Sequence, residues 1–125
     1  MTQDFQAFLA AYRERHPQDV LVLGEPVSGD QVLTALVQQL ALQGRRPVIL
    51  AERVEGLEVP VVTNLFAWRE RVARMLGVEV ADLHSTYQAR SRRLVPPRRV
   101  ERGPGVGGGE EGDAVVLRTL PPLWH

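Results

Sequence analysis

Apolar and polar positions along this chain follow two rhythms, one helical and one extended, and these divide it into short elements. Phe5, Phe8, Leu9 and Tyr12 recur on one helix face, and Thr2 ahead of them has a hydroxyl suited to capping the first turn. Arg13-Glu14-Arg15-His16-Pro17 ends that helix, because the residue before a proline disfavours helical geometry. Val20-Leu21-Val22-Leu23 is a continuous apolar run that predicts a buried strand, broken by Gly24-Glu25-Pro26. Ser28 and Gln31 have the spacing of a capping box. The stripe Val32, Leu33, Leu36, Val37 and Leu40 predicts a second helix, with Gln43-Gly44 as its stop. Pro47-Val48-Ile49-Leu50 is the next strand. Strand, helix and strand in this order read as a βαβ unit, which makes its two strands parallel.

The stretch from Pro60 to Gly77 carries the densest signal. Val61-Val62-Thr63 is β-branched and favours a strand running from Val59 to Thr63. Asn64 is suited to turn the chain and cap a helix beginning just after it. Leu65, Trp68, Val72, Met75 and Leu76 then form an apolar helix face opposite Arg69, Glu70, Arg71 and Arg74, and Gly77 fits the left-handed position past the helix end. Val80, Leu83, Tyr87 and Leu94 predict a last helix ended by Pro96-Pro97. The tract Gly103 to Gly112 has too few apolar side chains to build a core and reads as a flexible linker, before a short strand at Ala114-Val115-Val116-Leu117.

Together these elements predict an α/β fold: a small single-layer mixed sheet of about three to four strands containing a βαβ unit, flanked by about four helices. The expected organisation is a compact domain over residues 1–100, a glycine-rich flexible loop over 101–113, and a C-terminal strand and tail over 114–125.

Length and composition narrow the function classes. At 125 residues the chain is one modest domain, and its formal net charge of zero gives no global pull toward nucleic acid. All 15 basic residues are arginine. Cysteine is absent, which removes disulfides, thiolate metal sites and thiol catalysis. Met1-Thr2-Gln3-Asp4 lacks the basic and apolar regions of a signal peptide, and no apolar run approaches the roughly 20 residues of a membrane span, so a cytoplasmic protein is expected.

Candidate chemistry is sparse. His16, His84 and His125 show no metal-binding spacing, Ser28, Ser85 and Ser91 lack a nucleophile elbow, and the glycine tract lacks the lysine and hydroxyl residue of a phosphate loop. Glu110, Glu111 and Asp113 sit in that tract, where nothing would fix or desolvate a general acid or base. No catalytic, cofactor-binding or metal-binding residue is assigned. Arg90, Arg92, Arg93, Arg98, Arg99 and Arg102 cluster around the end of the last helix, as an anion-binding candidate or an interface of salt bridges. Leu117, Leu120, Leu123 and Trp124 form a second candidate, an apolar interface near the C-terminus.

Pro60-Val61-Val62-Thr63-Asn64-Leu65-Phe66, continued by Arg69-Glu70-Arg71-Val72-Ala73-Arg74-Met75-Leu76-Gly77, resembles the N-terminal domain of the UbiD-type decarboxylases. Pro47 to Gly56 is similar to the family's strand and glycine turn, and Leu120-Pro121-Pro122-Leu123-Trp124-His125 to its lead-in to the flavin-binding domain. The resemblance implies kinship with enzymes that reversibly decarboxylate aromatic and unsaturated acids using prenylated flavin mononucleotide and a divalent metal. It covers only the first domain, and the family's catalytic and cofactor residues match no position here. The implied role is therefore a non-catalytic assembly module, partnering a second copy or a separate catalytic subunit, with no cofactor of its own. A small anion- or nucleic-acid-binding protein using the arginine cluster is the alternative. Two places depart from the family pattern. Glycine replaces a strand before Glu110, and Ala67-Trp68 stands where glycine and a small hydroxyl residue are usual. The first implies a looser junction; Trp68 then either fills the core or anchors a partner.

Overall fold

In a computed structural model, residues 4–99 and 101 are described. They fall into two compact units, the first ending at Trp68 and the second beginning at Arg69.

The first unit is built on three strands, β1 (Val20–Leu23), β2 (Val48–Ala51) and β3 (Val61–Thr63), in the order β1-β2-β3. β1 and β2 run parallel, with Val20 opposite Val48, and β3 returns antiparallel, with Ala51 opposite Val61. The sheet is thus mixed, and the βαβ unit is present as read from the sequence. β2 takes the middle because its whole run is apolar: Val48, Ile49 and Ala51 are fully buried. β1 lies at an edge and is only half-buried along its length, a correction to the buried strand expected there. A continuous apolar run does not say which strand has two neighbours.

Helix α2 (Val32–Leu42) joins β1 to β2 and closes one face of the sheet. Leu33 and Leu40 pack with Ile49, Ala51, Val54 and Val61 into the core, flanked by Leu21, Leu23, Leu36 and Val37. The capping box expected ahead of this helix is not formed. Ser28 Oγ instead accepts from the Asp30 amide at 3.2 Å, and Gln31 precedes the helix at a φ of 58°. The serine closes a local turn and leaves the helix start to begin further on. Beyond β1 and β2 the two chain ends stay paired through a bridge between Val27 and Val54. Arg53 donates from both Nε and Nη2 to the Gly24 carbonyl, at 3.1 and 2.6 Å, which holds these two loops together.

Helix α1 (Phe5–Arg15) is capped by Asp4, whose carboxylate accepts from the Gln6 amide at 2.9 Å, rather than by Thr2, which lies outside the described residues. Of its predicted face, Leu9 and Tyr12 are buried while Phe5 and Phe8 stay exposed. The Tyr12 hydroxyl donates to Asp19 Oδ2 at 2.6 Å, tying the helix to the turn that enters β1.

The second unit holds α3 (Arg69–Leu76) and α4 (Leu83–Ser91), joined through a short 3-10 turn over Val80–Asp82. Gly77 takes the left-handed conformation expected of it, at φ 68°. Two expectations change here. In α3 the buried residues are Arg71 and Ala73, so Arg71 does not belong to a solvated polar face. Every buried side-chain nitrogen and oxygen among the described residues has a hydrogen-bond partner, and Arg71 is accommodated on those terms. In α4 only Leu83 is buried, and the helix stops at Ser91, leaving Tyr87, Leu94 and Val95 exposed. The strand expected at 114–117 lies outside the described residues.

Candidate functional site

Among the described residues an open basin lies on the face of the sheet opposite α2. Side chains alternate across a strand, so Ile49, Ala51 and Val61 point into the core while the cross-strand pair Leu50 and Val62 points the other way. Leu50 and Val62 line an open basin of about 610 Å³. One wall comes from α1, through Phe5, Gln6 and Leu9; the other comes from Pro60, Thr63, Asn64, Leu65 and Phe66. Among the described residues no charged side chain lines it. Phe66 is 74% exposed and Phe5 48% exposed, so the basin opens onto solvent with aromatic rings at its edge.

Asn64 shapes that second wall. It has a φ of 65°, a left-handed conformation that asparagine tolerates better than most side chains. Its Nδ2 donates to the Pro47 carbonyl at 2.8 Å. The turn continues with the Ala67 amide on the Asn64 carbonyl at 3.4 Å, and α3 begins only at Arg69. Asn64 therefore does not cap a helix. It ends β3 and sends Leu65 and Phe66 to the basin wall, so these residues are not part of a helix face.

Trp68 is half-buried and lines a smaller crevice of about 170 Å³ at the entry ends of β1 and β2, with Asp19, Arg45, Arg46 and Pro47. Among the described residues no group of three or more His, Asp or Glu side chains is placed to hold a metal. Neither the basin nor the crevice combines clustered carboxylates with a phosphate-binding loop, so the described residues do not fit a flavin phosphate and its metal, and no chemical step is assigned to them.

A family profile described as the 3-octaprenyl-4-hydroxybenzoate carboxy-lyase N-terminal domain, UbiD_N, matches residues 13–90. The chain belongs to the UbiD N-terminal domain family. Solved structures agree. An evolved dimeric form of the UbiD-class enzyme HmfF from Pelotomaculum thermopropionicum, in complex with prFMN, superposes with a TM-score of 0.64 at 26% identity, over 78% of this chain and 22% of that one. HmfF from the same organism in complex with FMN superposes with a TM-score of 0.61 at 28% identity, over 74% of this chain and 20% of that one. The chain thus spans about a fifth of these UbiD-class enzymes. No curated protein matches it.

Within this UbiD N-terminal domain the sequence-derived candidates have separate fates. Arg90 lies in the last turn of α4, and Arg92, Arg93, Arg98 and Arg99 come after it; all five are exposed, and Arg102 lies outside the described residues. Leu117, Leu120, Leu123 and Trp124 also lie outside them. Sequence reasoning missed the basin, because Leu50, Val62 and Phe5 are far apart in sequence and each reads locally as a core residue. The only local signal was Phe66, which falls off the helical face formed by Leu65, Trp68 and Val72.

Proposed function

We propose that this chain acts as the first, structural domain of a UbiD-class, prenylated-flavin-dependent decarboxylase assembly, contributing surface and not chemistry. The observation that carries this reading is the family match over residues 13–90, combined with a span of about a fifth of the HmfF chains. In that family the reaction is decarboxylation of an aromatic or unsaturated acid, and prenylated flavin with its metal supplies the electron sink. Its acid, base and phosphate-binding groups would come from a catalytic body outside these residues, on the same polypeptide or on another. The module's own contribution is a preformed, uncharged surface held on a sheet.

The test is purification of the tagged full chain from its source cells, with identification of everything bound to it. Recovery of a UbiD-class flavin-binding body supports the reading, and its absence overturns it.

A second reading rests on the five exposed arginines between Arg90 and Arg99, a local excess of positive charge beside the exposed Tyr87. It makes the segment a binder of anions or nucleic acid, with an affinity that falls steeply with salt.

A further inference from the structure

We propose that the arginine segment after α4 binds a second copy of this chain, at the acidic end of that copy's sheet. The proposal goes beyond the assembly reading and does not depend on it. From Leu83 to Arg99 the chain holds Arg90, Arg92, Arg93, Arg98 and Arg99, all exposed, and no aspartate or glutamate. Nothing within the segment neutralises this charge. Each cation is a guanidinium, whose planar fork matches a carboxylate through two parallel hydrogen bonds.

The opposite charge is gathered in the first unit. Because β1 and β2 run parallel, the loops that follow them, 24–31 and 52–58, leave the sheet at the same end. The Val27 amide donates to the Arg53 carbonyl at 3.1 Å and the Glu55 amide to the Val27 carbonyl at 2.9 Å, so the two loops are held side by side. They carry Glu25, Asp30, Glu52, Glu55 and Glu58, all exposed, against one cation, Arg53. Arg53 is committed to the Gly24 carbonyl through Nε and Nη2. The carboxylates are therefore in excess on a braced surface, and little ordering is needed when they are met.

The choice of occupant rests on charge complementarity. The chain as a whole has a formal net charge of zero, so both excesses come from segregation of charge and not from composition. A polyphosphate would account for the arginines and leave the acidic loops unexplained, whereas a second copy accounts for both. The two surfaces differ, so the contact is heterologous: each copy added leaves one arginine segment and one acidic end open, until a ring closes. A single exposed ion pair contributes little, so the contact needs several at once and weakens with salt.

The chain has no cysteine, so a single cysteine placed on its surface reacts alone. The test mixes two preparations of the purified full chain, one with Ser91→Cys and one with Glu55→Cys, and joins them with a short bismaleimide. Leu42→Cys, exposed on α2, replaces Glu55→Cys in the control. A crosslink between positions 91 and 55 of different chains is expected, and one between 91 and 42 is not. The yield should fall about tenfold or more as sodium chloride rises from about 50 mM to about 500 mM. A chain that sediments with the mass of one copy at low salt overturns the proposal and leaves the assembly reading standing. Association that salt does not weaken, or that joins 91 to 42 as readily, also overturns it. If a chain carrying both cysteines closes on itself while the mixed chains stay apart, the arginines are met within one copy and the second copy is overturned as occupant. Association that appears only with added nucleic acid overturns it in favour of the second reading. In parallel, Arg92→Ser, Arg93→Ser, Arg98→Ser and Arg99→Ser together, with the fold checked by circular dichroism, are expected to return the chain to the mass of one copy. Unchanged association of that variant overturns the proposal.

Discussion

The side chain of Asn64 donates to the backbone carbonyl of Pro47 at 2.8 Å, across the start of the β2–β3 pair. The last ladder partners are Ile49 and Thr63, and the amide side chain continues the pairing where the backbone turns away. One residue thereby ends a strand and aims the next two side chains at the basin.

Substitution at Asn64 separates these two roles. Asn64→Gly keeps the left-handed conformation and loses the hydrogen bond, for a destabilisation of about 1 kcal/mol. Asn64→Ala loses both and is expected to cost about 2 kcal/mol or more. Urea unfolding of the two variants gives the order; equal losses would mean that the backbone conformation contributes nothing.

Tyr12→Phe removes the hydroxyl that donates to the buried Asp19 carboxylate. Stripping a donor from a buried charged acceptor costs about 2 kcal/mol. The melting temperature should fall accordingly, and an unchanged one would show that solvent replaces the hydroxyl.

The core assignment is tested at Leu33, 1% exposed, against Leu42, 81% exposed on the same helix. Leu33→Ala is expected to cost about 2–5 kcal/mol through the cavity it leaves. Leu42→Ala should lie within about 0.5 kcal/mol of the parent. Denaturant midpoints compare them directly.

Much of the fold could be read in the sequence because it rests on local signals. The stripe from Val32 to Leu40 and the β-branched run Val61-Val62-Thr63 each carry their own period, and Gly44 and Gly77 sit at left-handed helix ends. The features that could not be read depend on contacts distant in sequence. Arg71 has the pattern of a solvated residue but is buried, because partners that meet its hydrogen bonds make burial of the charge tolerable. Phe5 and Phe8 have the pattern of core residues but remain exposed, because α1 buries only Leu9 and Tyr12. The basin arises where α1, β2 and β3 meet, and no single stretch encodes it.

The arginine segment gives a discriminating binding experiment. A domain that works by assembly should show no retention on double-stranded DNA at physiological salt. Retention that falls steeply with salt, and that Arg92→Ser, Arg93→Ser, Arg98→Ser and Arg99→Ser together abolish, would favour the second reading.

The most direct measurement is the native mass of the species that carries this chain in its source cells, read with the flavin absorbance of the same sample. The expected result is one particle holding this domain, a UbiD-class catalytic body and a bound flavin. A flavin-free particle with the mass of one chain, or a whole multiple of it, would contradict the assembly role.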